Sequence, residues 1–153
     1  MTVSDAVVKV ATTYALSAEL LAAQVLVESS GDPYAFRFEP AFFKTYIRGN
    51  TAAKAGRFGP LAACSYGPLQ LMLETAYEIG FTGYPEELFD PFVGLDWGAK
   101  YLAQLLTWAK GDYTKAWAAY NGGKGQAVKL PLPAPQQSYV NAILSKKGLA
   151  LTT

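Results

Sequence analysis

One carboxylate stands out in this sequence because of its position. Residues 20–36, LLAAQVLVESSGDPYAF, form an apolar run that is interrupted at Glu28, Ser29, Ser30 and Gly31. If the run is a buried helix, the Glu28 side chain starts in an apolar neighbourhood, where burial raises the pKa of a carboxyl group. A carboxyl that keeps its proton near neutral pH can protonate the leaving oxygen of a glycosidic bond. Glu28 is therefore a candidate general acid; the alternative is an exposed residue at a helix C-terminus.

Composition excludes most other catalytic machinery. The 153 residues include one cysteine, Cys64, and no histidine, which leaves no Cys/His metal site, no disulfide and no histidine-assisted nucleophile. We expect no metal and no cofactor. The net charge is +1, without a run of like charge that would attract nucleic acid or a charged membrane. Catalysis would therefore rest on carboxylates, hydroxyls and amides.

Helix signals recur along most of the chain and predict a mainly α fold made of one domain, residues 1–153. Ser4 is expected to cap a first helix that ends near Tyr14, and Ser17 a second helix that ends at Glu28. The second helix is apolar nearly all round, which is typical of a central, buried position. The general acid candidate would then lie where this central helix ends.

The clearest helix lies in the C-terminal half. Asp90 and Pro91 are a strong start signal, and apolar residues then recur every three or four positions until Gly111. Further helices are predicted over residues 40–47, 68–80, 112–123 and 136–147, a surface excursion over 49–65 and an extended segment over 131–135.

Three further motifs follow the VESSGDP segment along the chain. SYGPLQLM contains Gly67 and Gln70, WAAYNGG contains Tyr120 and Asn121, and QSYVNAIL contains Tyr139. In this order, the four motifs resemble the signatures of the soluble lytic transglycosylases and the related goose-type lysozymes. The resemblance spans residues 20–144. It implies a lysozyme-like fold, a single compact helical domain with a cleft.

The resemblance also implies roles for the first two motifs. It assigns Glu28 as the single catalytic acid/base, with Ser29 supporting the site by hydrogen bonding. Gly67 would let the backbone approach the glycan, and the Gln70 amide would bind sugar hydroxyl or acetamido groups. The alternative for Gln70 is a solvated helix residue.

The last two motifs carry the remaining implied site residues. Tyr120 and Asn121 match a Tyr-Asn pair that faces the catalytic acid across the cleft, so that the phenol can hydrogen-bond the carboxyl and the amide can hold the substrate. Tyr139 matches a tyrosine of the last helix that also lines the site. The alternatives are a plain helix C-cap for Asn121 and a core aromatic for Tyr139.

The reaction implied by the resemblance is cleavage of the β-1,4 bond between N-acetylmuramic acid and N-acetylglucosamine of peptidoglycan. Glu28 would protonate the linking oxygen, the substrate's acetamido group would steady C1, and the C6 hydroxyl would close onto C1 as a 1,6-anhydro ring. Two-carboxylate glycosidases need a second acid. Asp32 in a turn, Glu39 before a proline and Glu74 on an outer helix face are poor candidates.

Three alternatives to a transglycosylase stay open. Water admitted to the far face of the sugar would make the same scaffold a goose-type-lysozyme-like hydrolase. A non-catalytic peptidoglycan-binding module would keep the fold without the reaction, although such a module has no need of an acid at the end of a buried helix. A general helical interaction domain is a third, weaker interpretation.

The sequence departs from the family pattern in two motifs and one segment. The usual Gly-Leu-Met-Gln is GPLQ here, and the usual Tyr-Asn-Ala-Gly is YNGG. The connection from Glu28 to Gly67 is longer than in compact members, and within it residues 34–58 interleave aromatic with basic side chains. This segment could be a cleft wall that stacks on sugar rings and meets stem-peptide carboxylates, or an aromatic packing lobe with a solvated basic edge.

The expected partner is the glycan strand of peptidoglycan, bound by a monomer without nucleic acid and without membrane insertion. No export signal and no membrane span is evident in the sequence. We therefore expect synthesis in the cytoplasm and action on the periplasmic or cell-wall peptidoglycan, as a phage endolysin or a virion-associated enzyme. A catalytic domain cut from a longer exported protein is the alternative.

Overall fold

Helices account for most of the described chain, and a small antiparallel sheet lies beside them. The computed structural model describes residues 1–151; residues 152 and 153 of the predicted domain lie outside the described part. The α-helices are α1 (Val3–Thr13), α2 (Ala18–Ser29), α3 (Pro40–Phe42), α4 (Leu73–Glu78), α5 (Pro91–Trp108), α6 (Tyr113–Gly122), α7 (Lys124–Ala127) and α8 (Ala134–Lys146). A π-helix covers Phe43–Ile47, 3₁₀-helices cover Gly56–Ala63 and Pro85–Phe89, and the strands are β1 (Phe36–Phe38), β2 (Cys64–Tyr66) and β3 (Leu71–Met72). Within this range, we find no helix with the length and apolar character that a membrane crossing needs.

The central helix is α2, as the sequence predicts. Ser17 caps it, its Oγ accepting from the Leu20 N–H at 3.2 Å. The helix packs against α1 and α8, and Leu21 and Val25 lie in the main hydrophobic cluster with side chains of α1, α5, α6 and α8. It ends in a left-handed C-cap at Ser30, where φ is 55°. The chain therefore turns sharply just after Glu28 and leaves that side chain at the end of a buried element.

The observed starts of three other helices can be compared with the predicted ones. The first helix is capped by Thr2, not by Ser4 as predicted, because the Thr2 hydroxyl accepts from the Asp5 N–H at 3.1 Å and the Asp5 carboxylate accepts from the Thr2 hydroxyl at 2.8 Å. α5 begins after Asp90, whose carboxylate accepts from the first backbone N–H groups of the helix, and this prediction is confirmed. The last helix begins at Ala134, inside the segment predicted to be extended.

The predicted helix over residues 68–80 is wrong in its first turn. Gly67 and Gln70 both have positive φ, 72° and 48°, so the backbone turns back instead of entering a helix. β3 then pairs with β2 in the register Tyr66 opposite Leu71, and α4 begins only at Leu73. The physical reason is that β2 lies between β1 and β3, and this pairing requires a tight turn before β3.

The predicted surface excursion over residues 49–65 is wrong in its second half. Residues 62–65 are buried, and β2, which begins at Cys64, is the middle strand of the sheet. The first half of the segment is held by Glu74, which is 3% exposed. Its carboxylate accepts from the backbone N–H groups of Lys54 and Ala55. Glu74 therefore does not lie on an outer helix face, as predicted, but fixes the loop to α4.

We expect Glu74→Gln to lower the free energy of unfolding by about 2 kcal/mol, because a neutral amide replaces a charged acceptor of two backbone N–H groups and turns an N–H₂ toward them. Glu78→Gln, an exposed carboxylate on the same helix, is the matched control and should change it by less than about 0.5 kcal/mol. Urea unfolding monitored by tryptophan fluorescence measures both. Equal effects of the two substitutions would contradict the role assigned to Glu74.

Candidate active site

A cleft of about 820 Å³ separates the helical body from the sheet. One wall is formed by the end of α2, the end of α6 and Tyr139 of α8. The other wall is formed by β1, the π-helix and the turn before β3, with Arg37, Tyr46 and Gln70 among the side chains. The two walls belong to two separate hydrophobic clusters, one in the helical body and one under the sheet. The cleft therefore lies where the two cores meet.

Glu28 lies in this cleft and has a perturbed pKa. Burial raises the pKa of its carboxyl from 4.5 to about 7, and the hydrogen bond from Tyr139 opposes the shift. The Tyr139 hydroxyl donates to Glu28 Oε1 and itself accepts from Gln24 Nε2 at 3.0 Å. A carboxyl in this state is partly protonated at neutral pH. Glu28 can therefore give and take a proton under ordinary conditions.

Ser29 connects the end of α2 to the opposite wall of the cleft. Its hydroxyl donates to the Pro68 carbonyl oxygen at 2.8 Å and accepts from the Gly31 N–H at 3.2 Å. Pro68 belongs to the tight turn before β3. The serine thereby connects the carboxyl-bearing helix to this turn, and its supporting role in catalysis stays a prediction.

Gly67 and Gln70 lie in the same turn, but their contacts are internal. The Gln70 amide accepts from the Ser65 hydroxyl at 2.9 Å and donates to the Ala35 carbonyl oxygen at 3.0 Å, so both of its ends hold the sheet. A Cβ at Gly67 would lie 2.6 Å from the Leu88 carbonyl oxygen. The glycine is thus needed for a close approach within the protein, and sugar contacts by this motif stay a prediction.

Tyr120 has a different partner from the one predicted. Its hydroxyl donates to the Leu69 carbonyl oxygen at 2.7 Å, not to the Glu28 carboxyl. Burial and the nearby Glu28 charge raise the pKa of its phenol, so it stays a neutral donor. The phenol that hydrogen-bonds the carboxyl is that of Tyr139. Tyr139 is a core aromatic, 9% exposed, that also lines the cleft, and its role in the reaction stays a prediction.

Asn121 lines the cleft and is not the helix cap. The C-cap of α6 is Gly123, and the Asn121 Oδ1 accepts from Gln136 Nε2 at 2.9 Å. The Gln136 side chain lies against Gly122, where a Cβ would come within 2.4 Å of its Nε2. The Gly-Gly departure from the family motif therefore provides room for a glutamine that orients Asn121.

The segment over residues 34–58 divides between the two interpretations. Arg37, Phe42 and Tyr46 line the cleft, in agreement with a substrate-facing wall. Phe36 stacks on Tyr66 with ring centroids 5.3 Å apart, outside the cleft lining, in agreement with a packing lobe. Phe36 and Arg37 are consecutive residues of β1, and consecutive side chains of a strand point to opposite faces of the sheet.

Sequence reasoning missed three residues of the cleft and its support. Gln24 and Gln136 are buried amides that hold Tyr139 and Asn121. The only sequence signal for Gln24 is a polar residue in an otherwise apolar helix, and Gln136 gives none. Glu39 lines the cleft and pairs with Arg37 at 3.1 Å, so the following proline does not keep its carboxylate away from the site.

Among residues 1–151, no group of three or more His, Cys, Asp or Glu side chains is arranged to hold a metal ion. The cleft instead presents one carboxyl with a raised pKa, four phenols and two side-chain amides. This set of groups can transfer protons and hydrogen-bond a polar substrate. It defines a site for acid/base chemistry.

Comparison with known proteins agrees with this class. Residues 5–131 match the family model described as Transglycosylase SLT domain, and the chain belongs to that family. A solved structure with the same fold is an inactive Glu-to-Gln mutant of the lytic transglycosylase Slt from Pseudomonas aeruginosa, at 22% identity and a TM-score of 0.65. The match covers 92% of the present chain and 22% of the Slt chain. The present chain therefore spans about a fifth of the length of Slt. The predicted lysozyme-like helical fold is confirmed.

Proposed function

We propose that this protein is a peptidoglycan lytic transglycosylase that cleaves the β-1,4 bond between N-acetylmuramic acid and N-acetylglucosamine. The observation that carries the proposal is the position of Glu28, a carboxyl with a pKa of about 7 at the buried end of α2 in a cleft. Membership of the SLT family and the fold shared with a lytic transglycosylase support it.

In the first step, protonated Glu28 gives its proton to the glycosidic oxygen, and the bond from that oxygen to C1 of the muramoyl sugar breaks. In the second step, the Glu28 carboxylate takes the proton of the C6 hydroxyl while the oxygen of that hydroxyl bonds to C1. The product is a 1,6-anhydro-muramoyl end, and no water is consumed. A pKa of about 7 suits a group that must act first as an acid and then as a base.

Hydrolysis is the second candidate because of Glu39. Its carboxylate lines the same cleft as Glu28, and an inverting hydrolase uses a second carboxylate to activate water on the opposite face of the sugar. Its ion pair with Arg37, at 3.1 Å, occupies one of the two carboxylate oxygens. We therefore place Glu39 in substrate binding, with hydrolysis as the outcome that the product analysis tests.

The experiment is mass spectrometry of the soluble muropeptides released from purified peptidoglycan by the native protein and by Glu39→Gln. We expect 1,6-anhydro ends from both proteins, since only Glu28 moves protons. Reducing ends, heavier by the mass of one water, about 18 Da, and lost in Glu39→Gln, would show a hydrolase. Binding to intact wall without release of any product would show a peptidoglycan-binding module.

We propose that the protein acts as a monomer on single glycan strands, without insertion into a membrane. The cleft is built from one chain, and both of its walls come from residues of that chain. Action on the periplasmic or cell-wall peptidoglycan as a phage endolysin or virion-associated enzyme stays a prediction. Light scattering of the protein with and without soluble glycan strands measures the stoichiometry.

A further inference from the structure

Gln24 is a buried polar residue with a single hydrogen-bonded group. Its side chain is 0% exposed and lies one helical turn before Glu28 on α2. Gln24 Nε2 donates to the Tyr139 hydroxyl oxygen at 3.0 Å, whereas Oε1 has no hydrogen-bond partner among the described residues. A buried acceptor without a partner destabilises the fold relative to an apolar side chain of the same size. A role in packing alone therefore does not explain this glutamine.

The direction of the hydrogen bonds follows from the number of protons. A phenol has one proton to donate. Because Gln24 donates to the phenol oxygen, the Tyr139 proton is free to point elsewhere, and it points to Glu28 Oε1. If the Gln24 amide were reversed, the phenol would donate to Gln24 and could no longer donate to the Glu28 carboxylate. The Gln24 amide therefore determines which way Tyr139 donates.

We propose that Gln24 is a positioning residue that, through Tyr139, keeps Glu28 Oε1 as a hydrogen-bond acceptor and leaves Oε2 to carry the transferred proton. This inference rests on the proposed function, in which Glu28 alternates between acid and base. Oε1 accepts from the phenol in both protonation states, so both proton transfers use Oε2. Donation by Gln24 also strengthens the phenol as a donor, since hydrogen bonds in a chain polarise one another.

The test compares four proteins: the native chain, Gln24→Met, Tyr139→Phe and the double variant. Methionine is close to glutamine in length and volume but cannot donate a hydrogen bond. For each protein we would measure kcat and KM on soluble, uncross-linked glycan strands across pH, together with the melting temperature. Gln24→Leu, which differs in shape, repeats the measurement and separates the lost hydrogen bond from side-chain fit.

For Gln24→Met we expect kcat to fall about tenfold with KM unchanged. The loss of activity at high pH should move upward by about 0.5 pH unit, because the hydrogen bond that lowers the Glu28 pKa is weakened. The melting temperature should not fall, since the unpaired Oε1 is removed. In the Tyr139→Phe background, Gln24→Met should cause no further change in kcat or in the pH profile.

The following outcomes would overturn the inference or the proposed function on which it rests. If the Gln24→Met variant does not fold, or melts at a much lower temperature than the native chain, Gln24 has a structural role instead of a positioning role. An unchanged pH profile, or effects that multiply in the double variant, would show that Gln24 does not act through Tyr139. A native chain that releases no muropeptides would overturn the proposed function itself, whereas an active native chain with an unaffected Gln24→Met would overturn only this inference.

Discussion

Glu28→Gln is expected to lower muropeptide release by about 1,000-fold, the order of magnitude that a general acid contributes. The amide keeps the size of the side chain and can still accept from Tyr139, but it has no proton to give to the glycosidic oxygen. Binding of the protein to intact peptidoglycan should be retained, because the cleft walls are unchanged. Release is measured by chromatography of the soluble fraction and binding by sedimentation with insoluble wall.

A second property of Glu28→Gln separates loss of chemistry from loss of fold. The folded-state pKa of Glu28 is raised from 4.5 to about 7, so its contribution to stability is fully present below pH 4.5 and is lost as pH rises through 7. The amide of the variant does not ionise. We therefore expect the variant to be as stable as the native chain at about pH 4 and more stable at about pH 8, by roughly 3 kcal/mol.

Thermal unfolding at the two pH values measures this difference. A variant that is inactive and also less stable than the native chain in the alkaline measurement would mean that Glu28 holds the fold rather than the substrate. A variant that keeps most of its activity would assign the proton transfers to another group. The first result would contradict the expected effect of Glu28 on stability, and the second would contradict its role in proton transfer.

The helices and the acid could be predicted because their signals are local. Ser17 and Asp90 cap α2 and α5 in the structure as predicted, and each cap acts on backbone groups within three residues. Glu28 was recognisable because a carboxyl interrupts an apolar run. Burial of that run then follows from its composition, and so does the direction of the pKa shift.

The sheet and the hydrogen-bond partners could not be predicted because their causes lie far away in sequence. β1 and β3 have three and two residues, too few for an alternating pattern to be seen. Tyr120 donates to a carbonyl 51 positions away, and Tyr139 bonds a carboxyl 111 positions away. Which phenol reaches Glu28 depends on where α6 and α8 pack against α2, and the motifs alone carry no information about that packing.

The burial of Glu74 could not be predicted from the sequence either, because its hydrogen-bond partners are also distant in sequence. A carboxylate on a short helix is usually solvated, so the outer face was the reasonable expectation. Its burial depends on two backbone N–H groups of a loop some twenty residues earlier. A loop whose backbone N–H groups donate to a distant side chain shows no periodic pattern of apolar residues. Residues 49–65 were therefore predicted to be a surface excursion.

Gly67→Ala is expected to lower the free energy of unfolding by about 3 kcal/mol or more. The residue has a φ of 72°, which costs a residue with a Cβ about 1 kcal/mol. The added Cβ would also lie 2.6 Å from the Leu88 carbonyl oxygen, which is backbone and cannot rotate away. The larger part of the effect should come from this clash.

Gly49→Ala is the matched control for Gly67→Ala. Gly49 has a φ of 71° and no atom within 4 Å of a built Cβ, so it isolates the conformational cost, and we expect about 1 kcal/mol. Urea unfolding of both variants gives the difference. Equal losses of unfolding free energy in the two variants would mean that the turn at Gly67 moves and relieves the clash with Leu88. In that case Pro68, which accepts from Ser29 at 2.8 Å, would shift with it, and Gly67→Ala would lower activity more than stability.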